Sequence, residues 1–154
     1  MLEQGLLLEN EHFSLARKII AAALGRCGFA QRHILLLNGI PRHSGQARDM
    51  STVAVIHAVV VLECDAEAIS CRLRENTGGD RVGRQDNGPE LVRKKLDVFL
   101  GRTRPLIDQY RSAGSRVYRL SIGDRTTVDE AYAQLSLLAA ADPPVPLVTE
   151  PPQR

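Results

Sequence analysis

Two groups of residues raise a chemical question before any element is assigned. The first is Asn38-Gly39-Ile40-Pro41-Arg42, followed by Gln46-Ala47. A glycine directly after an apolar run lets the backbone approach a bound group closely, and Pro41 stiffens the exit from that run. Arg42 presents a planar, fixed-charge fork suited to phosphate, and the Gln46 amide can pair with the edge of a base. An ordinary βα turn with a solvated arginine uses the same residue types, so spacing alone leaves both readings open. The second group is Arg81, Arg84, Arg93, Lys94 and Lys95; residues 72–104 hold nine Lys+Arg against five Asp+Glu. A local excess of cations beside a glycine-rich loop would focus a polyanion, and a solvated helix face accounts for much of it too.

These residues need elements to position them. Phe13, Leu15, Ala16, Ile19, Ile20, Ala23 and Leu24 recur at helical spacing and predict a helix over about 11–26. His33–Asn38 is a short continuous apolar run ending at Gly39, which predicts a strand buried on both faces of a parallel sheet. A short helix is expected over 44–50 and a second strand over 56–62, after which Asp65 can cap a helix from Ala66 to about Arg74. Residues 76–87 read as a mobile, charged loop with three glycines and two arginines. Pro89 suits the first turn of a helix reaching about Leu100, and a separate helix is expected over 105–113. A third strand over 117–122 and a last helix over 127–140 follow, and the end from Asp142 holds five of the eight prolines. This order implies an α/β domain of three layers with parallel strands, spanning 1–141, and a flexible proline-rich tail over 142–154. Ligands collect at the carboxyl ends of such strands, where Asn38-Gly39 stands.

Composition narrows the partners. The 154 residues are 44% hydrophobic and 25% charged, which argues against wholesale disorder and a disulfide-built miniprotein. A net charge of +2, no Trp, three Tyr and three Phe make nucleic acid a poor default partner. The start is acidic with a three-residue apolar run, unlike a signal peptide, and the stretch Val53–Cys64 is too short to span a bilayer. Cys27, Cys64 and Cys71 form no CxxC pair, and Cys64 and Cys71 read as buried thiols rather than ligands. A soluble, cytoplasmic protein without membrane contact is expected.

Taken together, the segments resemble the adenylate kinases and the wider nucleoside monophosphate kinase family. That family carries Asp-Gly-Phe-Pro-Arg with Gln-Ala following, then Gly-Arg-x-Asp-Asp, a Lys/Arg-rich helix and Thr-x-Pro-Leu-Ile-x-x-Tyr. Here these are Asn38–Arg42 with Gln46-Ala47, Gly83-Arg84-Gln85-Asp86-Asn87, Val92-Arg93-Lys94-Lys95-Leu96 and Thr103–Tyr110. Met1–Leu8 is similar to a segment that is internal in the family, and the matches run in order to about residue 138. The resemblance implies a nucleoside monophosphate site at Gly39, Arg42 and Gln46, with Arg42 on the acceptor phosphate and Gln46 on adenine, which favours AMP. It places Arg84 and Lys95 among the cations that clamp the transferred group, and Arg81 in a short lid over about 76–87. It implies phosphoryl transfer from ATP with Mg²⁺, which needs positioned charge rather than a protein nucleophile.

The departures carry their own expectations. No Gly-x-x-x-x-Gly-Lys-[Ser/Thr] occurs in the 154 residues; in the family that loop, the central first strand and the second strand lie upstream of the segment matching Met1. Asn38 replaces an Asp that helps organise Mg²⁺, and Lys95 gives up a bidentate fork for a point charge. Arg72 and Arg84 stand further apart than in short-lid relatives, leaving Arg74, Arg81 or no residue as a counterpart of the first lid arginine. The reading is therefore an incomplete kinase core that is inactive as this chain, with a non-catalytic nucleotide-binding or regulatory module as the alternative. With the central strand missing, the isolated chain is expected to be unstable, to oligomerise through exposed edges, or to rearrange so that the strands over 34–38 and 56–62 pair directly.

Overall fold

A computed structural model of the chain describes residues 13–28, 30, 33–79 and 88–143. They divide into two compact units, the first holding the described residues up to Val55 together with Glu90–Asp108, the second Ile56–Pro89 and the described residues from Gln109 onward. The architecture is α/β with parallel strands, in a sheet of two strands among the described residues.

In the first unit, helix α1 (Phe13–Arg26) buries Phe13, Ala16 and Ile20, an i, i+3, i+7 stripe that faces inward as its periodicity requires. Helix α2 (Ser44–Met50) starts where the His43 imidazole accepts from the Gln46 N–H at 3.4 Å, and ends on the fully buried Met50. The intervening run corrects the sequence-based expectation, because residues 33–37 form no strand. Ile34 and Leu36 are 94% and 85% exposed, whereas Leu35 and Leu37 are half-buried. The run keeps the alternation of a strand, but no described segment of its own unit lies beside it as a strand, and an apolar sequence alone cannot make one.

Helix α4 (Pro89–Val98) begins at its proline, as expected, but does not stop near Leu100. It continues through a π-helical turn (Phe99–Thr103) into α5 (Arg104–Ser112). The cause is Pro105, which lacks the N–H that would donate to the residue four positions back. The chain widens by one residue instead: the Arg104 N–H donates to the Phe99 carbonyl, five positions back. Leu106 and Ile107 are then buried.

The second unit contains β1 (Ala58–Glu63) and β2 (Arg116–Ser121), paired in parallel from Ala58–Arg116 to Glu63–Ser121. Helix α3 (Ala66–Glu75) is capped by Asp65, whose carboxylate accepts from the Ala68 N–H at 2.7 Å, and closes on Asn76 in the left-handed region at φ 50°. Along β2, Tyr118 and Leu120 are buried while Arg119 and Ser121 are exposed. Helix α6 (Val128–Ala141) packs on β2. Thr127 and Glu130 close a capping box at its start, and the Tyr118 hydroxyl donates to the Asp142 carbonyl at 2.7 Å at its end.

Candidate functional site

Two hydrogen bonds made by Arg42 fold the segment from Gly39 to Gln46 back on itself, and a third from Thr103 fastens it. Gly39 has φ +85°, a region that favours glycine, and a Cβ built there would lie 3.4 Å from Arg42 Nη2. The absent side chain leaves the guanidinium room to lie along the turn, where Arg42 Nε donates to the Gly39 carbonyl at 2.9 Å. The Arg42 backbone N–H donates to Gln46 Oε1 at 2.8 Å. Thr103 Oγ1 then donates to the Arg42 carbonyl at 2.9 Å, so the end of the π-turn holds the loop from the other side. The Ile40–Pro41 bond between these anchors is cis.

Arg42 is exposed, and among the described residues no carboxylate forms an ion pair with it. A guanidinium fixed through Nε to its own loop, and not neutralised, retains outward N–H groups for an anion. Gln46 is buried, and its carbonyl oxygen is engaged by the loop. Sequence reasoning assigned it to a base edge; the structure adds a part in shaping the turn that carries Arg42.

Of the other expected site residues, Lys95 stands exposed on α4 in the same unit. Arg81 and Arg84 lie outside the described residues, as does most of the expected lid over 76–87 and all of the proline-rich tail beyond Pro143. The structure thus brings Gly39, Arg42 and Gln46 together.

Sequence reasoning missed two features. Thr103 was noted only as part of a motif, yet it is the residue that fastens the Arg42 loop. Arg72, at the end of α3, donates through Nη1 to the carbonyls of Gly123, Asp124 and Thr126 at 3.0, 3.2 and 3.0 Å. It ties the turn between β2 and α6 into place beside an open hollow of about 560 Å³ lined by residues including Gly123, Asp124, Thr126, Glu130, Gln134 and Leu137. The signal for that turn was local: Gly123-Asp124-Arg125-Thr126 between a strand and a Thr127-x-x-Glu130 cap.

Few titrating groups are perturbed in ways that suggest acid–base chemistry. Burial pushes the Cys64 thiol up, with Asp65 adding to the effect, and the hydrogen bond to Glu75 does the same for Cys71. Both thiols are half-buried and unbonded to one another. Among the described residues no group of three His, Cys, Asp or Glu is placed to hold a metal ion, and no helix is long and apolar enough to cross a membrane.

No protein-family model matches the chain. Among curated proteins it is similar to a UMP-CMP kinase from Xenopus laevis, 31% identical over 110 residues that cover 69% of this chain and 54% of the relative. It is 34% identical over 94 residues to an adenylate kinase from Prochlorococcus marinus, covering 58% of this chain and 47% of the relative. A longer alignment, 27% identical over 139 residues, joins it to an adenylate kinase from Phocaeicola vulgatus and covers 87% of this chain and 68% of the relative. The chain spans about half the length of the first two of these relatives.

Proposed function

From its place in the adenylate kinase and nucleoside monophosphate kinase family, established by those homologues, we propose that the chain binds a nucleoside monophosphate on the loop from Gly39 to Gln46. The observation that carries this is Arg42, exposed and unpaired by any described carboxylate, with its Nε held on the Gly39 carbonyl. The phosphate takes the outward N–H groups of Arg42, and the backbone at Gly39 allows close approach. Gln46 reads the base, which favours AMP over the pyrimidine monophosphates that one of the relatives' names specifies. Lys95, Arg84 and Arg81 complete the anion-binding set in this reading.

Phosphoryl transfer is the lineage's reaction, with ATP and Mg²⁺ as donor and metal in a complete form. The 154 residues hold no Gly-x-x-x-x-Gly-Lys-[Ser/Thr], Asn38 carries no charge, and the described residues offer no acidic cluster. The described residues therefore offer no cluster that would hold Mg²⁺, and in this reading the chain's own part is the acceptor side. This polypeptide by itself is expected to bind AMP without transferring phosphate, which makes a nucleotide-binding or regulatory module the second reading. A cytoplasmic setting suits three cysteines that form no disulfide. The exposed sheet edge gives the chain a route to self-association.

Calorimetric titration of the purified 154-residue protein with AMP, UMP and CMP tests the proposal. AMP binding that is strongest of the three and lost in Arg42→Ala is the expected result. Equal heats for wild type and Arg42→Ala remove the site, and ATP:AMP phosphotransfer by the purified chain removes the claim of inactivity.

A further inference from the structure

Two polar residues are buried among the described residues, and both belong to α2 and its cap: His43 at 8% exposure and Gln46 at 3%. With Ala47 and Met50 they occupy positions i, i+3, i+4 and i+7, the buried stripe of this segment. An aliphatic residue would fill the place of His43 without the cost of burying a polar ring. The ring therefore calls for a hydrogen-bonding role.

That role lies on the backbone. The Gln46 N–H, one of the donors that the start of a helix leaves without an intrahelical partner, donates to His43 Nδ1 at 3.4 Å. The His43 carbonyl accepts from the Ala47 N–H at 3.0 Å, the first regular bond of α2. Gln46 answers in the other direction, its Oε1 accepting from the Arg42 N–H at 2.8 Å. The pair is a reciprocal cap: the residue before the helix holds the third helical residue, whose side chain holds the chain just outside. In the usual form the returning bond ends on the cap residue itself. Here it ends one residue earlier, on Arg42, the exposed cation whose Nε lies on the Gly39 carbonyl.

We propose that His43 is a positioning residue for Arg42. Through the Nδ1 lone pair it fixes Gln46, and Gln46 fixes the backbone from which the Arg42 guanidinium reaches an anion. A ring nitrogen that accepts carries no hydrogen, so the neutral ring carries its hydrogen on Nε2. The proposal rests on the nucleoside monophosphate reading of this loop and adds to it a residue that acts through Gln46. Serine and threonine would cap the same N–H, but their short side chains would leave the inner place unfilled. The imidazole supplies both the acceptor and the bulk. Its acceptor also has a defined position: Nδ1 is bonded to Cγ, as Oδ1 of asparagine is, whereas Nε2 stands about where Oε1 of glutamine does.

Calorimetric titration of the full chain with AMP tests this, on wild type, His43→Leu, His43→Asn and His43→Gln, with Arg42→Ala alongside. His43→Leu fills the inner place but offers no acceptor, and AMP affinity should fall about fivefold, the equivalent of one lost cap. His43→Asn returns an acceptor to the position of Nδ1 and should bind within about twofold of wild type. His43→Gln carries its oxygen one bond further out and should resemble His43→Leu. Hydrogen exchange at the Gln46 backbone N–H should follow the same order, slow in wild type and His43→Asn and faster in the other two. A residue that only filled space would give the reverse ranking, with leucine the best substitute, and that result overturns the proposal. The tautomer is read on the wild-type protein by nitrogen NMR of the His43 ring, whether or not a variant folds. An unprotonated Nδ1 is expected, and a neutral ring with its hydrogen on Nδ1 overturns the assignment. Wild-type affinity in His43→Leu, with binding lost in Arg42→Ala, overturns the positioning role and leaves the nucleotide site standing. Equal affinity in every protein, Arg42→Ala included, removes the nucleotide site and this role with it.

Discussion

Thr103 donates its hydroxyl proton to the carbonyl oxygen of Arg42 across 2.9 Å, linking two motifs that lie 61 residues apart. The link exists because the π-turn before Pro105 carries Thr103 one residue further round than a regular helix would. It makes the loop that carries Arg42 dependent on the register of a helical segment far away in sequence.

Removing that donor without changing shape should loosen the loop. Thr103→Val is expected to lower stability by about 1 kcal/mol, the usual net worth of one hydrogen bond. AMP affinity should weaken with it, and Thr103→Ser should retain both. Thermal unfolding and calorimetric titration of the same three proteins measure the effect. An unchanged AMP affinity in Thr103→Val would show that the loop holds Arg42 without help.

Gln46 Oε1 accepts from the Arg42 N–H at 2.8 Å within the turn. Gln46→Ala takes that acceptor away from a part-buried N–H and should cost about 1 kcal/mol or more. Gln46→Asn is one methylene too short to reach and should fall close to Ala. Denaturant unfolding gives the cost, and equal stability of Ala and wild type would contradict the role assigned to Oε1.

Tyr110 closes the Thr103–Tyr110 motif with a buried hydroxyl that has no hydrogen-bond partner among the described residues. Burial also pushes its phenol up from the ordinary tyrosine range. Tyr110→Phe deletes an unsatisfied group and should be neutral or stabilising by up to about 1 kcal/mol. Folded Tyr110 holds its proton more tightly than unfolded Tyr110. Its stabilising share is therefore present below the ordinary tyrosine range and lost as pH rises through and above it. Chemical denaturation of the two proteins across alkaline pH should show a steeper loss for wild type than for Tyr110→Phe.

Glu130 works in the opposite direction. Its Oε2 accepts from the Thr127 N–H at 2.8 Å and from Thr127 Oγ1 at 3.1 Å, and the backbone bond, then the hydroxyl, hold its carboxyl below the ordinary glutamate range. The folded state therefore binds this proton less readily than the unfolded state. The stabilising share is present above the ordinary glutamate range and is lost as pH falls through the lowered folded value. Hydrogen exchange at the first turn of α6 should quicken at acid pH in wild type and vary less in Glu130→Gln.

How far the chain could be read from its residues depended on whether the causes were local. Asp65 before Ala66, Pro89 at its helix start and Thr127 three residues before Glu130 each act within one turn of backbone, and the helices they begin are where they were expected. The strands at 58–63 and 116–121 follow from β-branched and alternating residues, and their parallel pairing from the element order. Residues 34–38 failed because a strand is a relationship between two segments, and the run's apolar character says nothing about whether a neighbour is present. The break expected between Leu100 and Pro105 failed because a widened turn absorbs the missing N–H as well as a break does. In the loop from Gly39 to Gln46, the turn at Gly39 was legible from residue type and position. The anchoring by Thr103 was not, because it depends on the register of a distant helix.

The amide of Gln134 has a consequence for the outer edge of β2. Ser121 donates its N–H to Gln134 Oε1 at 3.0 Å, and Gln134 Nε2 donates to the Ser121 carbonyl at 3.1 Å, so one side chain takes both outward backbone groups of that residue. A strand approaching this edge would find only Val117 and Arg119 open, too short a run to hold it in register. A single amide from α6 thereby guards that side of the sheet against edge-to-edge association.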